Sequence, residues 1–140
     1  MNGIKFRGTG RCVPANIVTN DDLAKTMETS DEWISARTGI RSRYRCGAES
    51  LTALCTGAAR EALKRAGISP AQIGACIVAT VSADTLVPST ACMLQKALGL
   101  PEDTPCFDLN AACTGFVYAL HTMECLLNAA PRKFGLAFKS

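Results

Sequence analysis

The sequence predicts an α/β protein with a mainly parallel sheet, on three observations. Residues 75–81, ACIVATV, form a continuous run of small and β-branched apolar residues, which is typical of a strand covered on both faces. Strand-length runs alternate with helix-length segments along the chain. The 140 residues, 48% hydrophobic and 19% charged, are enough for one domain with a substantial core.

The predicted elements follow one another in a regular order. Strands are predicted at residues 3–9, 75–81, 106–110 and 133–138, all in one sheet. Helices are predicted at residues 21–27, shortly after residue 29, at 50–66, at 89–98 and from 113 onward. A parallel connection needs a long crossover, so helices between the strands favour parallel pairing.

Local signals predict where helices begin and which face they bury. Thr29 and Glu32 have the spacing of a capping box, and Gly39 is predicted to end the helix that they start. The helix at residues 50–66 carries an apolar stripe. That stripe consists of Leu51, Leu54, Cys55, Ala58, Ala62 and Ala66.

Composition argues against several functional classes. The net charge of +3 is small and spread along the chain, so no nucleic-acid partner is expected. The start of the chain lacks a signal-peptide pattern, and His121 and Glu124 interrupt the longest apolar run, so no membrane partner is expected. The eight cysteines lack C-x-x-C spacing and histidine partners, so we expect no metal site and no disulfide framework. A cytoplasmic protein is expected.

Cys113 lies where a predicted strand gives way to a helix, within DLNAACTGF at residues 108–116. The unpaired backbone N–H groups of a helix N-terminus favour an anion, and therefore a thiolate. The neighbouring residues are small, which permits a sharp turn and access to the sulfur, as in a nucleophile elbow. This arrangement suits acyl transfer. A buried structural cysteine is the commoner outcome for an arbitrary cysteine, so both interpretations are open on position alone.

The same motif resembles the active-site signature of the β-ketoacyl-acyl-carrier-protein synthase III family, in the thiolase superfamily. TSDEWISARTGIRSRY at residues 29–44 resembles the coenzyme A segment of that family, and ISPAQIGACIVATVSAD and VPSTACMLQKALG resemble the parts that follow. The resemblance implies a thiolase-like α/β fold, incomplete here. The chain would be a single N-terminal half-domain over residues 1–140, with the C-terminal half absent.

The resemblance also implies a reaction. Cys113 would take an acyl group from acyl-CoA as a thioester and condense it with malonyl-acyl-carrier protein, the step that starts fatty-acid synthesis. It implies no cofactor, since acyl-CoA is a substrate, and it implies a homodimer.

Trp33 and Arg37 are four residues apart, so a helix places them on one face. An indole beside a guanidinium can sandwich a flat base and pair with a phosphate, and the arginines at positions 41, 43 and 45 add charge nearby. By resemblance, Trp33 stacks on adenine, and Arg37 and Thr38 are its phosphate and base partners. On spacing alone, a solvated basic edge with Trp33 as a core anchor is the alternative.

Val87 occupies a position where related enzymes often carry a phenylalanine that reaches across the dimer into the partner's acyl pocket. Valine is smaller, so the acyl-chain preference stays open. Local packing of Val87 within a loop is an equally weighted alternative.

The last expectations concern the end of the chain. The family mechanism uses a histidine and an asparagine from the C-terminal half, and the chain ends before them. Its one histidine, His121, would lie about 12 Å along the helix from Cys113, too far to act as its base. We therefore expect the chain alone to accept an acyl group slowly, not to complete the condensation, and to associate through the apolar helix that follows Cys113.

Several interpretations remain open. The chain end is consistent with a gene fragment, a designed truncation or a naturally shortened protein. The function is predicted to be that of a fatty-acid condensing enzyme. The alternatives are a condensing enzyme of secondary metabolism within the same superfamily and a non-catalytic interaction module, with a redox or metal protein a distant fourth.

Overall fold

A computed structural model describes residues 3–140 of the chain. The elements in chain order are β1 (Asn16–Thr19), α1 (Asn20–Ala24), α2 (Asp31–Thr38), β2 (Ser42–Arg45), α3 (Leu51–Ala66), β3 (Ile73–Ala79), α4 (Thr90–Leu98), β4 (Cys106–Leu109), α5 (Gly115–Ala129) and β5 (Phe134–Lys139). The contacts divide these elements into two compact units. Unit 1 contains the described residues up to Cys12 together with Ser50–Ser140, and unit 2 is Val13–Glu49. A single half-domain over residues 1–140 stays a prediction.

The strand β3 is the centre of unit 1. All seven of its residues are buried, and it pairs in parallel with β4 on one edge and with β5 on the other. The predicted buried parallel strand is confirmed, although it begins and ends two residues earlier than predicted. The Thr80 N–H still donates to the carbonyl oxygen of Leu109, and Val81 beyond it is exposed.

The two faces of β3 support two separate apolar clusters. Cys76 and Val78 pack against α3 and α4 on one face. Ala75, Ile77 and Ala79 pack against α5 on the other face. Side chains alternate between the faces of a strand, so helices cover the sheet on both sides and unit 1 has three layers.

The prediction of a strand at residues 3–9 is wrong. No strand is assigned there within the described residues, because the segment lies along α3 instead of pairing with an edge of the sheet. A Cβ added at Gly8 would stand 2.6 Å from the carbonyl oxygen of Ala62, and one at Gly10 would overlap the carbonyl oxygen of Ala58. The large apolar side chains of this segment lack a core to face, since Ile4 is 41% exposed and Phe6 is 64% exposed.

The same contact changes which face of α3 is buried. Ser50 caps the helix and Gly67 ends it in the left-handed conformation, so its bounds agree with the predicted residues 50–66 to within one residue. The buried residues are Cys55, Thr56, Ala59 and Leu63, so the predicted stripe is only partly correct. The alanines at positions 58, 62 and 66 of that stripe lie toward the N-terminal segment rather than toward the sheet.

The later elements agree with prediction to within two residues. Ser89 caps α4 and Gly99 ends it. The helix α5 begins at Gly115, two residues later than predicted, after a short 3₁₀ turn. Its buried residues lie on one face only, and Val117 and Tyr118 are more than half exposed. No helix within residues 3–140 combines the length and apolar character that crossing a membrane requires.

Unit 2 is organised around a buried amide that the sequence did not predict. The strands β1 and β2 pair antiparallel, and α1 and α2 lie between them in the chain. The Asn20 side chain donates to Asp31 Oδ1 and to the Ile40 carbonyl oxygen, both at 2.7 Å, and accepts from Arg43 at 2.7 Å. Two hydrogen bonds hold the pKa of the Asp31 carboxyl below its ordinary value: the one from the Asn20 side chain has the larger effect and the one from the Ser35 hydroxyl the smaller.

The predicted capping box at the start of α2 is wrong. The hydroxyl of Ser30, not that of Thr29, accepts the backbone N–H of Trp33 at 3.0 Å. Thr29 Oγ1 is buried and has no partner among the described residues. Thr29 and Ser30 are adjacent hydroxyl residues, so the sequence left the position of the cap ambiguous by one residue. Gly39 ends the helix as predicted.

Replacing Gly10 with alanine is expected to destabilise unit 1. The new Cβ would overlap the Ala58 carbonyl oxygen, a backbone atom that cannot rotate away, so we expect a loss of about 1–3 kcal/mol in the free energy of unfolding. Urea denaturation followed by circular dichroism measures that loss. Gly47→Ala is the matched control, because its new Cβ would meet nothing closer than Glu49 Oε2 at 3.5 Å. Equal losses in the two variants would contradict the close packing.

Candidate active site

Cys113 lies in the 3₁₀ turn Ala112–Thr114, between the end of β4 and the start of α5. A Cβ added at the buried Gly115 would stand 3.2 Å from the Cβ of Ala79, so the start of α5 packs closely on the last residue of β3. The turn therefore sits at the carboxyl edge of the parallel sheet. Ligands of open parallel α/β sheets bind at this edge.

The turn is as sharp as the small residues around Cys113 predicted. Ala112 has φ of 45°, in the left-handed region that non-glycine residues seldom adopt. The Thr114 hydroxyl donates to the Ala111 carbonyl oxygen at 2.9 Å, and the Thr114 N–H donates to the same oxygen at 3.1 Å. Cys113 is exposed. Local geometry therefore matches the predicted elbow, and the nucleophilic role remains a prediction.

The eight thiols differ in burial. The exposed cysteines are Cys12, Cys46, Cys92, Cys113 and Cys125. Cys55 and Cys76 are buried, and burial raises the pKa of the Cys55 thiol to about 11. A hydrogen bond with Cys106, together with burial, raises the pKa of Cys76. Neither thiol forms an appreciable thiolate at neutral pH, so burial removes both as candidate nucleophiles. Within residues 3–140 no three cysteine, histidine or acidic side chains converge as metal ligands.

Asp108, the first residue of the cysteine motif, has a structural partner that sequence analysis missed. The N–H of Thr90 donates to Asp108 Oδ2 and the N–H of Ala91 donates to Oδ1, both at 2.9 Å. These are the first two residues of α4. A carboxylate at a helix N-terminus is favoured by the free N–H groups and by the macrodipole. The partners are 17 and 18 positions apart in sequence, so no local pattern could have indicated them.

Asp84 makes the corresponding contact with α3. The backbone N–H groups of Leu51 and Thr52 donate to its two carboxylate oxygens at 2.8 Å, and the Thr52 hydroxyl donates at 2.7 Å. Burial raises the pKa of Asp84, but the bonds from Thr52 and Leu51 together outweigh it and the net pKa is lowered. In two helices of unit 1, α3 and α4, the first two backbone N–H groups thus donate to a carboxylate from a distant part of the chain.

In unit 2, Trp33 and Arg37 lie on one face of α2, as their spacing predicted. The Arg37 guanidinium carbon is 4.3 Å from the centroid of the Trp33 ring, a cation–π contact. Trp33 is 54% exposed, which is unlike a core anchor. The two side chains line an open cavity of about 320 Å³. Its lining residues are Ser30, Glu32, Trp33, Ala36 and Arg37.

Two polar side chains near that cavity are already used in local bonds. The Thr38 hydroxyl donates to the Ile34 carbonyl oxygen at 2.8 Å and accepts the Ile40 N–H at 3.1 Å, which stabilises the end of α2. Arg43 donates to Asn20 and to the Val18 carbonyl oxygen. The predicted ligand role of Thr38 stays a prediction, and the cost of breaking these bonds counts against it.

Val87 lies in the loop between β3 and α4 and is 84% exposed. The neighbouring Leu86 is 93% exposed. Packing of Val87 within its own loop, the alternative weighed from the sequence, does not occur in the described residues. Its contribution to an acyl pocket remains a prediction.

Comparisons with known proteins were made for sequence and for structure. No family model matches the chain. A β-ketoacyl-[acyl-carrier-protein] synthase III from Clostridium acetobutylicum is 45% identical over 136 residues, which cover 97% of this chain and 42% of that protein. The crystal structure of 3-oxoacyl-[acyl-carrier-protein] synthase III from Aquifex aeolicus matches with a TM-score of 0.86 at 42% identity, over 91% of this chain and 42% of that one. A priming β-ketosynthase of the R1128 polyketide pathway matches with a TM-score of 0.80 at 33% identity, over 85% of this chain and 36% of that one.

The three-layer arrangement around a parallel sheet, shared with these structures, places the chain in the thiolase-like class of α/β proteins. Within that class, the chain is similar to β-ketoacyl-[acyl-carrier-protein] synthase III over nearly its whole length, and the resemblance that its motifs predicted is confirmed. It spans well under half the length of the curated relatives that it matches.

We expect Cys113 to be the first of the eight cysteines to react with limiting iodoacetamide at neutral pH. It is exposed on the turn that precedes α5, beside small residues that leave the sulfur accessible, whereas Cys55 and Cys76 are buried with raised pKa values. Peptide mapping by mass spectrometry after short labelling times ranks the sites. Cys125, exposed near the other end of the same helix α5, is the internal control. Labelling of Cys125 at the same rate as Cys113 would remove the basis for a special thiol.

Proposed function

We propose that this chain carries the acyl-accepting half of a β-ketoacyl-acyl-carrier-protein synthase III, with Cys113 as the nucleophile. The observation that carries the proposal is the position of Cys113, exposed on a sharp turn at the carboxyl edge of the parallel sheet. That turn lies in a chain that is 45% identical to a synthase III over nearly its whole length.

The proposed first step is a thioester exchange. The Cys113 thiolate attacks the carbonyl carbon of acyl-CoA, a new sulfur–carbon bond forms, and the bond to the coenzyme A sulfur breaks. Coenzyme A leaves as a thiolate and takes up a proton. One thioester replaces another, so the step needs no redox or metal cofactor. The acyl group stays activated toward attack by carbon.

In the whole synthase, the second step is condensation with malonyl-acyl-carrier protein. Malonyl loses carbon dioxide, and the electron pair of the broken carbon–carbon bond attacks the Cys113 thioester, which releases the thiolate. Fixed donors that hold the developing oxyanion contribute about 100- to 1,000-fold each. We propose that these donors lie outside residues 1–140. His121 is exposed and eight positions beyond Cys113, so it does not suit that role.

The cavity on α2 is proposed as the site for the adenine end of coenzyme A. A half-exposed indole with a guanidinium 4.3 Å from its ring offers a flat base a stacking surface beside a phosphate partner. The open cavity in front of these side chains leaves space for that base. Thr38 and Val87 are proposed as contributors to substrate binding on the family resemblance.

The same proposal extends to the oligomeric state of the protein and to its location in the cell. A homodimer is proposed on the resemblance to the family. A cytoplasmic location is proposed because all eight cysteines are free thiols, which persist in a reducing compartment.

A second candidate is a condensing enzyme that primes a polyketide rather than a fatty acid. It is favoured by the 33% identity to the R1128 priming ketosynthase. The two candidates differ in the acyl donor that they accept, so comparing acetyl-CoA with longer and branched acyl-CoA donors distinguishes them.

Incubation of the chain with acetyl-CoA is expected to acylate Cys113 slowly and to produce no ketoacyl product when malonyl-acyl-carrier protein is added. The acyl group should appear as an acetyl mass increment on the peptide that contains Cys113. Cys113→Ala should abolish it, whereas Cys125→Ala, which removes another exposed thiol of the same region, should not. Coenzyme A binding without any acylation would favour the interaction module. Acylation spread over several cysteines would contradict the proposed nucleophile.

Trp33→Ala is expected to weaken coenzyme A binding by about 1–3 kcal/mol, the range for loss of one base–aromatic stack. Trp33→Phe should retain most of the affinity, because it retains a ring face. Isothermal titration calorimetry with coenzyme A measures both. Phe6→Ala removes another exposed aromatic residue, one that lies outside the coenzyme A segment at residues 29–44, and should have no effect. Unchanged binding in Trp33→Ala would show that α2 is not the base site.

A further inference from the structure

The proposed mechanism leaves Asp108 without a role, although it opens the cysteine motif. Its carboxylate does not point into the turn that carries Cys113. It accepts the N–H groups of Thr90 and Ala91, both at 2.9 Å. In the sheet, Asp108 is paired with Val78 of β3, on the face of the sheet that α3 and α4 cover.

These two bonds attach the end of β4 to the start of α4 at a fixed point. The Ser89 hydroxyl accepts the third N–H, from Cys92 at 3.3 Å, so the first three N–H groups of α4 all have acceptors. Bonds from N–H groups to a carboxylate are shorter and stronger than those between neutral groups. The buried Thr90 and Ala91 leave α4 little freedom to shift against the sheet.

The next residue of β4 is fixed as well. The carbonyl oxygen of Leu109 accepts the Thr80 N–H at 3.1 Å, just beyond the end of β3. Only three residues, 110–112, separate Leu109 from Cys113. One of them is Ala112, whose backbone has a strained φ of 45°. Such a conformation persists only where the structure on both sides of the turn is fixed.

We propose that Asp108 is a positioning residue for Cys113: by anchoring β4 to the first turn of α4, it sets the place and direction of the turn that presents the sulfur. The inference rests on the proposed function, because it concerns attack of that sulfur on a bound thioester. Such an attack needs the reacting atoms about 3–3.5 Å apart and aligned, and a displacement of about 1 Å can slow it on the order of 100-fold.

Asp84 provides a control with matched chemistry. It accepts the N–H groups of the first two residues of α3, as Asp108 does for α4. Asp84 lies in the loop between β3 and α4, not on the strand that leads to Cys113. A general requirement for helix capping affects both aspartates equally. A positioning role affects Asp108 alone.

The test compares Asp108→Asn and Asp84→Asn in the 140-residue chain. Each asparagine keeps one carbonyl acceptor, places an amide N–H₂ against the second donor, and removes the charge. Three quantities are measured for each variant: urea stability, the rate of acyl transfer from acetyl-CoA to Cys113, and the rate of Cys113 alkylation by iodoacetamide. Alkylation is the readout of thiol exposure, because a small free reagent approaches from many directions.

We expect Asp108→Asn to slow acyl transfer on the order of 10- to 100-fold while alkylation of Cys113 is little changed. Asp84→Asn should lower stability by a similar amount and leave acyl transfer near the wild-type rate. Equal slowing in both variants, in proportion to their loss of stability, would overturn the proposal and make Asp108 a helix cap only.

Thr90→Pro covers the case in which Asp108→Asn does not fold. Proline is favoured at the first position of a helix, and Ser89 before it is already extended, so the substitution removes one donor to Asp108 while the carboxylate remains. Slowed acyl transfer in Thr90→Pro supports the positioning role, and a wild-type rate overturns it.

A wild-type chain whose Cys113 is alkylated but never acylated refutes the proposed function and this inference with it. A wild-type chain that is acylated, with unaffected variants, refutes the inference alone.

Discussion

Unit 1 depends on the burial of β3 on both faces and along both edges. Its seven residues are all buried, with parallel strands on each side and helices above and below. Parallel strands need crossover connections, so the helices must lie on the faces and the carboxyl ends of β3 and β4 must meet at one edge. Gly115 extends that constraint to the site, because a Cβ there would stand 3.2 Å from the Cβ of Ala79, which is tighter than an ordinary contact. The position of Cys113 at the sheet edge follows from how β3 is packed.

Burial separates two cysteines from the five exposed ones. Cys55 and Cys76 are small apolar residues of the core, and their raised pKa values make them poor nucleophiles. Cys113 carries the same thiol on a turn that reaches solvent. Burial therefore excludes Cys55 and Cys76, and the position of Cys113 on the sharp turn at the sheet edge distinguishes it from the other exposed thiols.

Several charged and polar side chains stabilise the fold by connecting segments that are separate in the sequence. Asp84 and Asp108 begin two helices, and Asn20 joins three segments of unit 2. Arg43 is engaged with Asn20, so the basic segment offers fewer groups to a phosphate than a count of arginines indicates. The cation–π pair of Trp33 and Arg37 remains directed at an open cavity, which makes α2 the part of that segment best suited to a flat, anionic ligand.

The sequence by itself determined the local features. It specified the buried strand, the glycine ends of α2, α3 and α4, the sharp turn at Cys113 and the shared face of Trp33 and Arg37, because each depends on residues within about one helical turn or one strand. The tertiary structure decided the rest. Residues 3–9 have the alternation of a strand but lie on α3, since a strand forms only where a neighbour offers an edge. Ser30 rather than Thr29 caps α2, and Asp108 caps a helix that begins 18 residues earlier in the chain. The Ser30 cap is a local choice between two adjacent hydroxyl residues. The contacts of residues 3–9 with α3 and of Asp108 with α4 join segments far apart in sequence, and only the tertiary packing brings them together.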